Sequence, residues 1–406
     1  MRKVKRPNFF IYYFLLLFVG PFFKIKNRVR FNRKEIKKLK GPALVIANHP
    51  SRPDFVYSIM ALFKRRLNVV VARNYTYYPS LHYLLKITHT IPKNLFNPDS
   101  STVKSIMSII KKGGSVLMMP EGRLSSNGSI GVMPEGIEKL VQKLGVTVVN
   151  IHIDGAYLTG AKWITRRRKG RINVKTSIIL TPEETKKLPL ETIKQKIITS
   201  LYYNDFEWIK ENPNISFKGR SLTSGLDNLL YLCPHCGTEF NLISKRHQFI
   251  CTNCFYEVSL DNRYQFTSKN QYPLYFENIY SWFEYQRQVI EQQLTQNDLY
   301  LEVKVKLKMP RNIKNNMQIK VVGEGICTIN KEGLFYSGMI EGKLEKIFFP
   351  IAIMPTLLFG CDEDFEIYYD NHFYYFEPLI NRKQVVKWSL FTEVAYQLYQ
   401  KKAKQE

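Results

Sequence analysis

Acidic residues are scarce in this chain. Its 34 Asp and Glu face 60 Lys and Arg, leaving a net charge of +26. A surplus that large excludes indifference to polyanions and implies an anionic partner, whether nucleic acid, a membrane surface, or acidic substrates and carriers. Cysteines are also few, six in all. Cys327 and Cys361 stand alone and read as reduced core residues. The other four are grouped, which argues for a metal in a reducing compartment and against disulfides. Long apolar runs are missing too. The best, Phe9 to Phe23, falls short of the roughly 18 to 20 residues that span a bilayer. No Ala-x-Ala-like site follows it, which argues against a cleaved signal peptide. No internal repeat or low-complexity segment is present.

What is there begins with 406 residues at 45% hydrophobic content, enough for two or three domains with cores of their own. The charge is uneven. Residues 1–40 carry thirteen basic residues and one acid, Glu35, nearly half the total surplus. Phe9 to Phe23 is aromatic-rich and flanked by Arg2, Lys3, Lys5 and Arg6, then Lys24, Lys26 and Arg28. That pattern suits a segment lying in the headgroup boundary of anionic lipid, and it favours a membrane over nucleic acid. The bland alternative is a helix buried against the domain. A second basic cluster gathers Lys162, Arg166, Arg167, Arg168, Lys169 and Arg171, where a solvated basic face with no specific partner competes on equal terms.

From residue 43 the chain alternates strand-like and helix-like runs. Residues 43–47, 67–72, 115–119, 147–153 and 172–180 read as buried strands; 101–112 and 134–144 read as helices between them. A helical stretch from Pro182 to about Glu211 closes this part. The expectation is an α/β domain over 41–215, with a central sheet and flanking helices. Residues 220–265 are short, cysteine-bearing and hairpin-like. Residues 270–406 read as a β-rich domain: a helix near 278–294, a run of short strands over 299–377, and a closing helix over about 384–401.

Two loops carry the chemistry. Asn48-His49-Pro50-Ser51-Arg52-Pro53-Asp54 follows the first strand and enters a helix. It places a histidine beside an aspartate, the minimum apparatus for taking a proton from an alcohol. Ser51 to Asp54 equally fits a helix-capping box. Pro120-Glu121-Gly122-Arg123 ends the strand over 115–119 and runs into Leu124-Ser125-Ser126-Asn127-Gly128. Glu121 supplies an acceptor, Gly122 permits close backbone approach, and the planar fork of Arg123 suits a phosphate. Taken alone, Pro-Glu-Gly reads as a turn with an exposed ion pair.

Together these loops resemble the motifs of the glycerolipid (lysophospholipid) acyltransferase family, specifically its 1-acylglycerol-3-phosphate acyltransferases. Residues 48–54 look like the first motif, 120–123 like the third, and Val149 to Ile153 with Gly155-Ala156-Tyr157-Leu158 like the fourth. The resemblance covers about residues 40–200. It implies that His49 is the general base on a glycerol hydroxyl attacking an acyl thioester. By the same likeness Asp54 orients the imidazole, while Asn48, Lys93, Glu121, Gly122 and Arg123 bind the acceptor. Three positions depart from the pattern. Arg123 comes one place early, before Leu124. Lys93 in Ile91-Pro92-Lys93 replaces a forked arginine, and Asn150 stands where proline is usual. These bear on the acceptor headgroup more than on the reaction class. The donor implied is an acyl-CoA or an acyl-carrier protein, which the basic surface would attract.

Cys233-Pro234-His235-Cys236 and Cys251-Thr252-Asn253-Cys254 form two C-x-x-C knuckles, read as a structural zinc ribbon with a closed thiolate shell. His235 and His247 are the alternative ligands. A ribbon with a strand-rich tail resembles the Gram-positive bacterial type, the tail being similar to a PH-like barrel. The expected protein is a peripheral, monotopic enzyme on the cytoplasmic face of the cell membrane, acylating a lysophospholipid. Two rivals are a non-catalytic, membrane-tethered zinc-ribbon module and a nucleic-acid binder. Residues 246–262 lack the basic-aromatic stripe the latter needs.

Overall fold

The computed structural model describes residues 4–97, 99–296, 299–313 and 316–405; Arg2 and Lys3 lie outside this range. The chain packs into two units. The first is Met1–Ala161 with Arg167–Lys218, the second Lys162–Arg166 with Gly219–Glu406.

In the first unit, seven strands form one sheet: β1 (Val29–Asn32), β2 (Ala43–Ala47), β3 (Leu67–Ala72), β4 (Ile91–Lys93), β5 (Ser115–Met118), β6 (Thr147–Asp154) and β7 (Ile172–Leu180), in the order β1-β7-β6-β2-β5-β3-β4. Every pairing is parallel except β6 with β7. The helices are α1 (Phe9–Lys26), α2 (Asp54–Ala61), α3 (Pro79–Ile87), α4 (Ser100–Lys111), α5 (Ile137–Leu144), α6 (Ala156–Gly160), α7 (Pro182–Lys187), α8 (Leu190–Leu201) and α9 (Asp205–Glu211). Strand β2 is buried along its whole length. Its side chains alternate between two cores, as the two-residue period of a strand requires. Ala43, Val45 and Ala47 join Tyr57 and Ala61 of α2. Leu44 and Ile46 join Ile106 and Ile109 of α4 and Ile193 and Ile197 of α8. A strand covered on both faces reads as a continuous apolar run, which is why this one was visible in the sequence.

Helix α1 is longer than its apolar run suggested. It continues through Lys24-Ile25-Lys26 to 18 residues, about 27 Å at 1.5 Å per residue. By length and composition it can cross a membrane. Counting apolar residues stopped at Lys24, whereas the backbone hydrogen bonds run on to the Asn27 cap. Tyr12 and Gly20 are buried, and Gly20 meets the Met60 side chain of α2. The Tyr12 hydroxyl donates to the Arg65 carbonyl. Phe10, Phe14, Leu17, Phe18 and Ile25 are exposed. The helix lies along its own unit with one side packed and a broad apolar side open.

The second unit holds a four-stranded antiparallel sheet of β8 (Leu242–Lys245), β9 (Gln248–Cys251), β10 (Glu257–Leu260) and β11 (Phe266–Ser268). Helix α10 (Ile279–Gln296) follows, then a seven-stranded antiparallel sheet over 301–378 and the closing helix α11 (Val385–Ala403). Trp388 of α11 stacks on Phe365 of that sheet at 4.9 Å.

Candidate functional site

His49 leaves the end of β2 and sits just before α2. Its Nδ1 lies 3.3 Å from Asp54 Oδ2. The Asp54 side chain is fully buried, whereas that of His49 is 21% exposed. The same carboxylate accepts the Ser51 N–H at 2.6 Å, and its second oxygen accepts the Ser51 hydroxyl. The capping box is only half present: Asp54 accepts the Ser51 N–H, but the Ser51 hydroxyl donates to Asp54 rather than accepting its N–H, and α2 starts after Pro53 with no side-chain cap. Asp54 closes the turn that starts α2, and in doing so faces the imidazole. Burial pushes the Asp54 carboxyl above its ordinary value, against the pull of His49 and the Ser51 hydrogen bonds. With Nδ1 turned to Asp54, Nε2 has no hydrogen-bond partner among the described residues.

The second loop reaches the first through Glu121. Parallel pairing of β2 with β5 puts both strand ends on the same rim of the sheet, where α/β folds gather ligands. Glu121 is fully buried. One carboxylate oxygen accepts the His49 N–H at 3.0 Å and the other the Gly131 N–H at 2.9 Å. Burial raises this carboxyl as well, opposed by those two N–H groups and then by the charges of His49 and Arg123. The Ser125 N–H donates to the His49 carbonyl at 3.1 Å, so the histidine backbone is held on both sides.

The structure redistributes the expected roles. Asn48, read as a substrate contact, is fully buried and spends both polar ends on Ile153 of β6, donating to its carbonyl and accepting its N–H at 2.8 Å each. Glu121, expected to touch the acceptor, instead gives both oxygens to backbone N–H groups. Gly122 has φ +68°, and a side chain there would meet Leu95 and Phe96. That close approach brings the loop after β4 against the Glu121 loop. Lys93, at the end of β4, donates to the Asn94 carbonyl; burial lowers its pKa, partly offset by Asp99. Arg123 is half-buried and packs across Gly131. Ser51, Ser125 and Gly131 were not singled out as site residues. Ser51 and Ser125 lie within the two quoted loops, but Gly131 carries no signal, because it acts through its backbone.

In the second unit, the Sγ atoms of Cys233, Cys236, Cys251 and Cys254 lie within 4.8 Å of one another. Cys233–Cys254 and Cys236–Cys251 are 3.7 and 3.8 Å apart. A tetrahedron with zinc–sulfur bonds of about 2.3 Å has edges of roughly 3.8 Å, so the four sulfurs fit that ion. Both knuckles end alike. Gly237 N–H donates to the Cys233 carbonyl and Phe255 N–H to the Cys251 carbonyl, with φ of +70° and +60°. His235 and His247 are not in the group, and His235 Nδ1 lies 2.9 Å from the Tyr275 hydroxyl.

Residues 28–154 match the family model described as Acyltransferase, and this match supports an acyltransferase enzyme. Among curated proteins, the chain is 27% identical over 139 residues to the chloroplastic 1-acyl-sn-glycerol-3-phosphate acyltransferase of Arabidopsis thaliana, covering 34% of this chain and 38% of that protein. It is 28% identical over 121 residues to the corresponding chloroplastic enzyme of Brassica napus, covering 28% and 33%. The chain thus spans little more than a third of the length of the curated relatives it matches. Among solved structures, it is similar to the 1-acyl-sn-glycerophosphate acyltransferase of Thermotoga maritima, with a TM-score of 0.40, 16% identity, and coverage of 47% of this chain and 77% of that one.

Proposed function

We propose that this chain transfers an acyl group from a thioester to the free hydroxyl of a lysophospholipid, 1-acylglycerol 3-phosphate first among candidates. The observation that carries this reading is the His49–Asp54 pair, its backbone clamped to the second loop by Glu121. The acceptor oxygen attacks the thioester carbonyl carbon while its proton passes to His49 Nε2. Asp54 stabilises the imidazolium that forms, the carbon–sulfur bond breaks, and the departing thiolate takes the proton. Glu121 and Asn48 act as positioning residues, tying the histidine loop to β5 and β6. Lys93 and Arg123 supply positive charge on the same rim for the acceptor phosphate. The donor is an acyl-CoA or an acyl-carrier protein.

The exposed apolar side of α1 supports work at a membrane surface; we propose the enzyme there as a peripheral protein of the cytoplasmic face. The four cysteines are proposed as a structural zinc site, since a shell of four thiolates leaves no open position. The test uses purified protein with 1-acylglycerol 3-phosphate and both classes of thioester, following thiol release. His49→Ala should lower turnover by about 10²-fold or more with a retained melting temperature. A folded variant of unchanged activity excludes His49 as the base. Retention on DNA with no binding to anionic vesicles would favour the nucleic-acid reading.

A further inference from the structure

On the same rim of the first unit, away from the histidine loop, lies a cavity of about 230 Å³ lined by Arg28, Arg30, Arg171, Asn214, Ile215 and Ser216. The strand order explains how it forms. Val29 of β1 pairs with Ile172 of β7, so Arg28 and Arg171 flank the same end of an edge pair. Asp154 of β6 pairs with Asn173, and Ala47 of β2 with Ile151, which carries that end across to His49. Three strand spacings of about 4.8 Å separate β1 from β2, so the cavity sits roughly 14 Å along the rim.

Its lining is one-signed. Three arginines line it and no carboxylate does. Among the described residues, none of the three has an ion pair or side-chain hydrogen bond, and neither do the side chains of Asn214 and Ser216. Arg28, Arg30 and Asn214 are exposed, and Arg171 and Ser216 half-buried, so three like charges border one open, solvated space at a mild cost in mutual repulsion. The backbone adds a second cost. Arg28 follows the Asn27 cap of α1 with φ +48°, where helices that end this way usually carry glycine. A left-handed backbone kept at Arg28 beside a lining of three arginines points to a bound anion. Forked donors converging from two strands match the several oxygens of a phosphate.

The source of that phosphate is argued from α1. The cavity begins two residues beyond a helix whose Phe14, Leu17, Phe18, Phe22 and Ile25 are exposed. A helix lying in the interface sets the residues just past its basic end at headgroup depth. We infer that Arg28, Arg30 and Arg171 form a socket for the phosphomonoester headgroup of a membrane phospholipid, separate from the place where the acceptor reacts. The inference rests on the membrane-surface reading above but not on acyl transfer.

The test is vesicle flotation of the full chain, comparing phosphatidylcholine vesicles that contain phosphatidate with vesicles of matched surface charge that contain phosphatidylglycerol, a diester. The protein should favour phosphatidate by about tenfold, the worth of one added charge-assisted hydrogen bond. Arg28→Gln/Arg30→Gln/Arg171→Gln should abolish the preference. Lys111→Gln/Lys112→Gln/Lys143→Gln, which removes equal charge from exposed sites, should keep it. If the triple arginine variant melts early, Arg171→Lys serves instead: it retains charge, loses the fork, and should reduce the preference. A preference that survives in the arginine variants, or is lost equally in the lysine control, overturns the socket. Inorganic phosphate that binds without vesicles, as tightly and with the same arginine dependence, overturns its assignment to lipid. None of these readings depends on whether His49 transfers an acyl group.

Discussion

Asp54→Asn isolates the charge behind the imidazole from the shape that holds it. The aspartate oxygens meet three groups: the His49 ring nitrogen, the Ser51 N–H and the Ser51 hydroxyl. An asparagine can keep its carbonyl oxygen toward the first two and turn its amide toward the hydroxyl, which accepts as readily as it donates. The fold then loses no hydrogen bond and gains by no longer burying a carboxylate, whose pKa burial already raises. What disappears is the charge that offsets the imidazolium. At about 4 Å and an effective dielectric near 20, such a pair is worth roughly 4 kcal/mol, close to three powers of ten in rate. Some of that returns through the retained hydrogen bond, so turnover should fall about 10²- to 10³-fold. Thiol release measures turnover, and a thermal melt of the same preparation should match the wild type within a few degrees. Turnover within about threefold of wild type, in a folded variant, refutes the role given to Asp54. A turnover loss that tracks a collapsed melting temperature refutes the claim that shape and charge separate here.

Other perturbations reach other parts of the molecule. Gly155→Ala should destabilise the first unit by more than about 1 kcal/mol, seen as an early melt, because its φ is +77° and a Cβ would lie 2.5 Å from the Arg171 carbonyl. Burial pushes the Asp99 carboxyl up, but hydrogen bonds from Ser101, Asn94 and Thr102 outweigh it and hold the group well below its ordinary range. Its contribution is therefore present above the usual carboxylate range and lost as pH falls below about 4; Asp99→Asn should remove this part of the acid sensitivity in urea melts, at a cost of about 1 kcal/mol at neutral pH. Purified protein should carry stoichiometric zinc by metal analysis, and a strong chelator should unfold the ribbon, read as a separate early transition. Metal-free protein with an unchanged melt would refute the zinc assignment.

Strand β2, buried on both faces, announces itself, and residues 67–72 and 172–180, only partly buried, also appear in the structure with the expected bounds. Edge elements do not announce themselves. Val29–Asn32 alternates apolar with polar residues for only four positions, too short a run to stand out, and Pro79–Ile87 buries no residue and so shows no buried face. In the site, His49 and Asp54 were legible because five residues along one turn fix their meeting. The destinations of the Asn48 and Glu121 side chains were not, since their partners are backbone groups 105 and 72 residues away. Arg28 and Arg171 stood in two separately noted basic clusters; what joins them is β1 pairing with β7, which no local pattern encodes. The second cysteine knuckle hides its turn, for Phe255 takes a positive φ that glycine would have advertised.

The Glu121 clamp also bears on when the protein becomes competent. The imidazole's seat is assembled from segments that meet only after β5 has docked beside β2 and the 131 turn has closed over the carboxylate. A nascent or partly unravelled domain would hold its histidine on a loose tether, with no partner strand to aim it. Under the proposed function, acyl transfer would then arrive only together with the finished sheet.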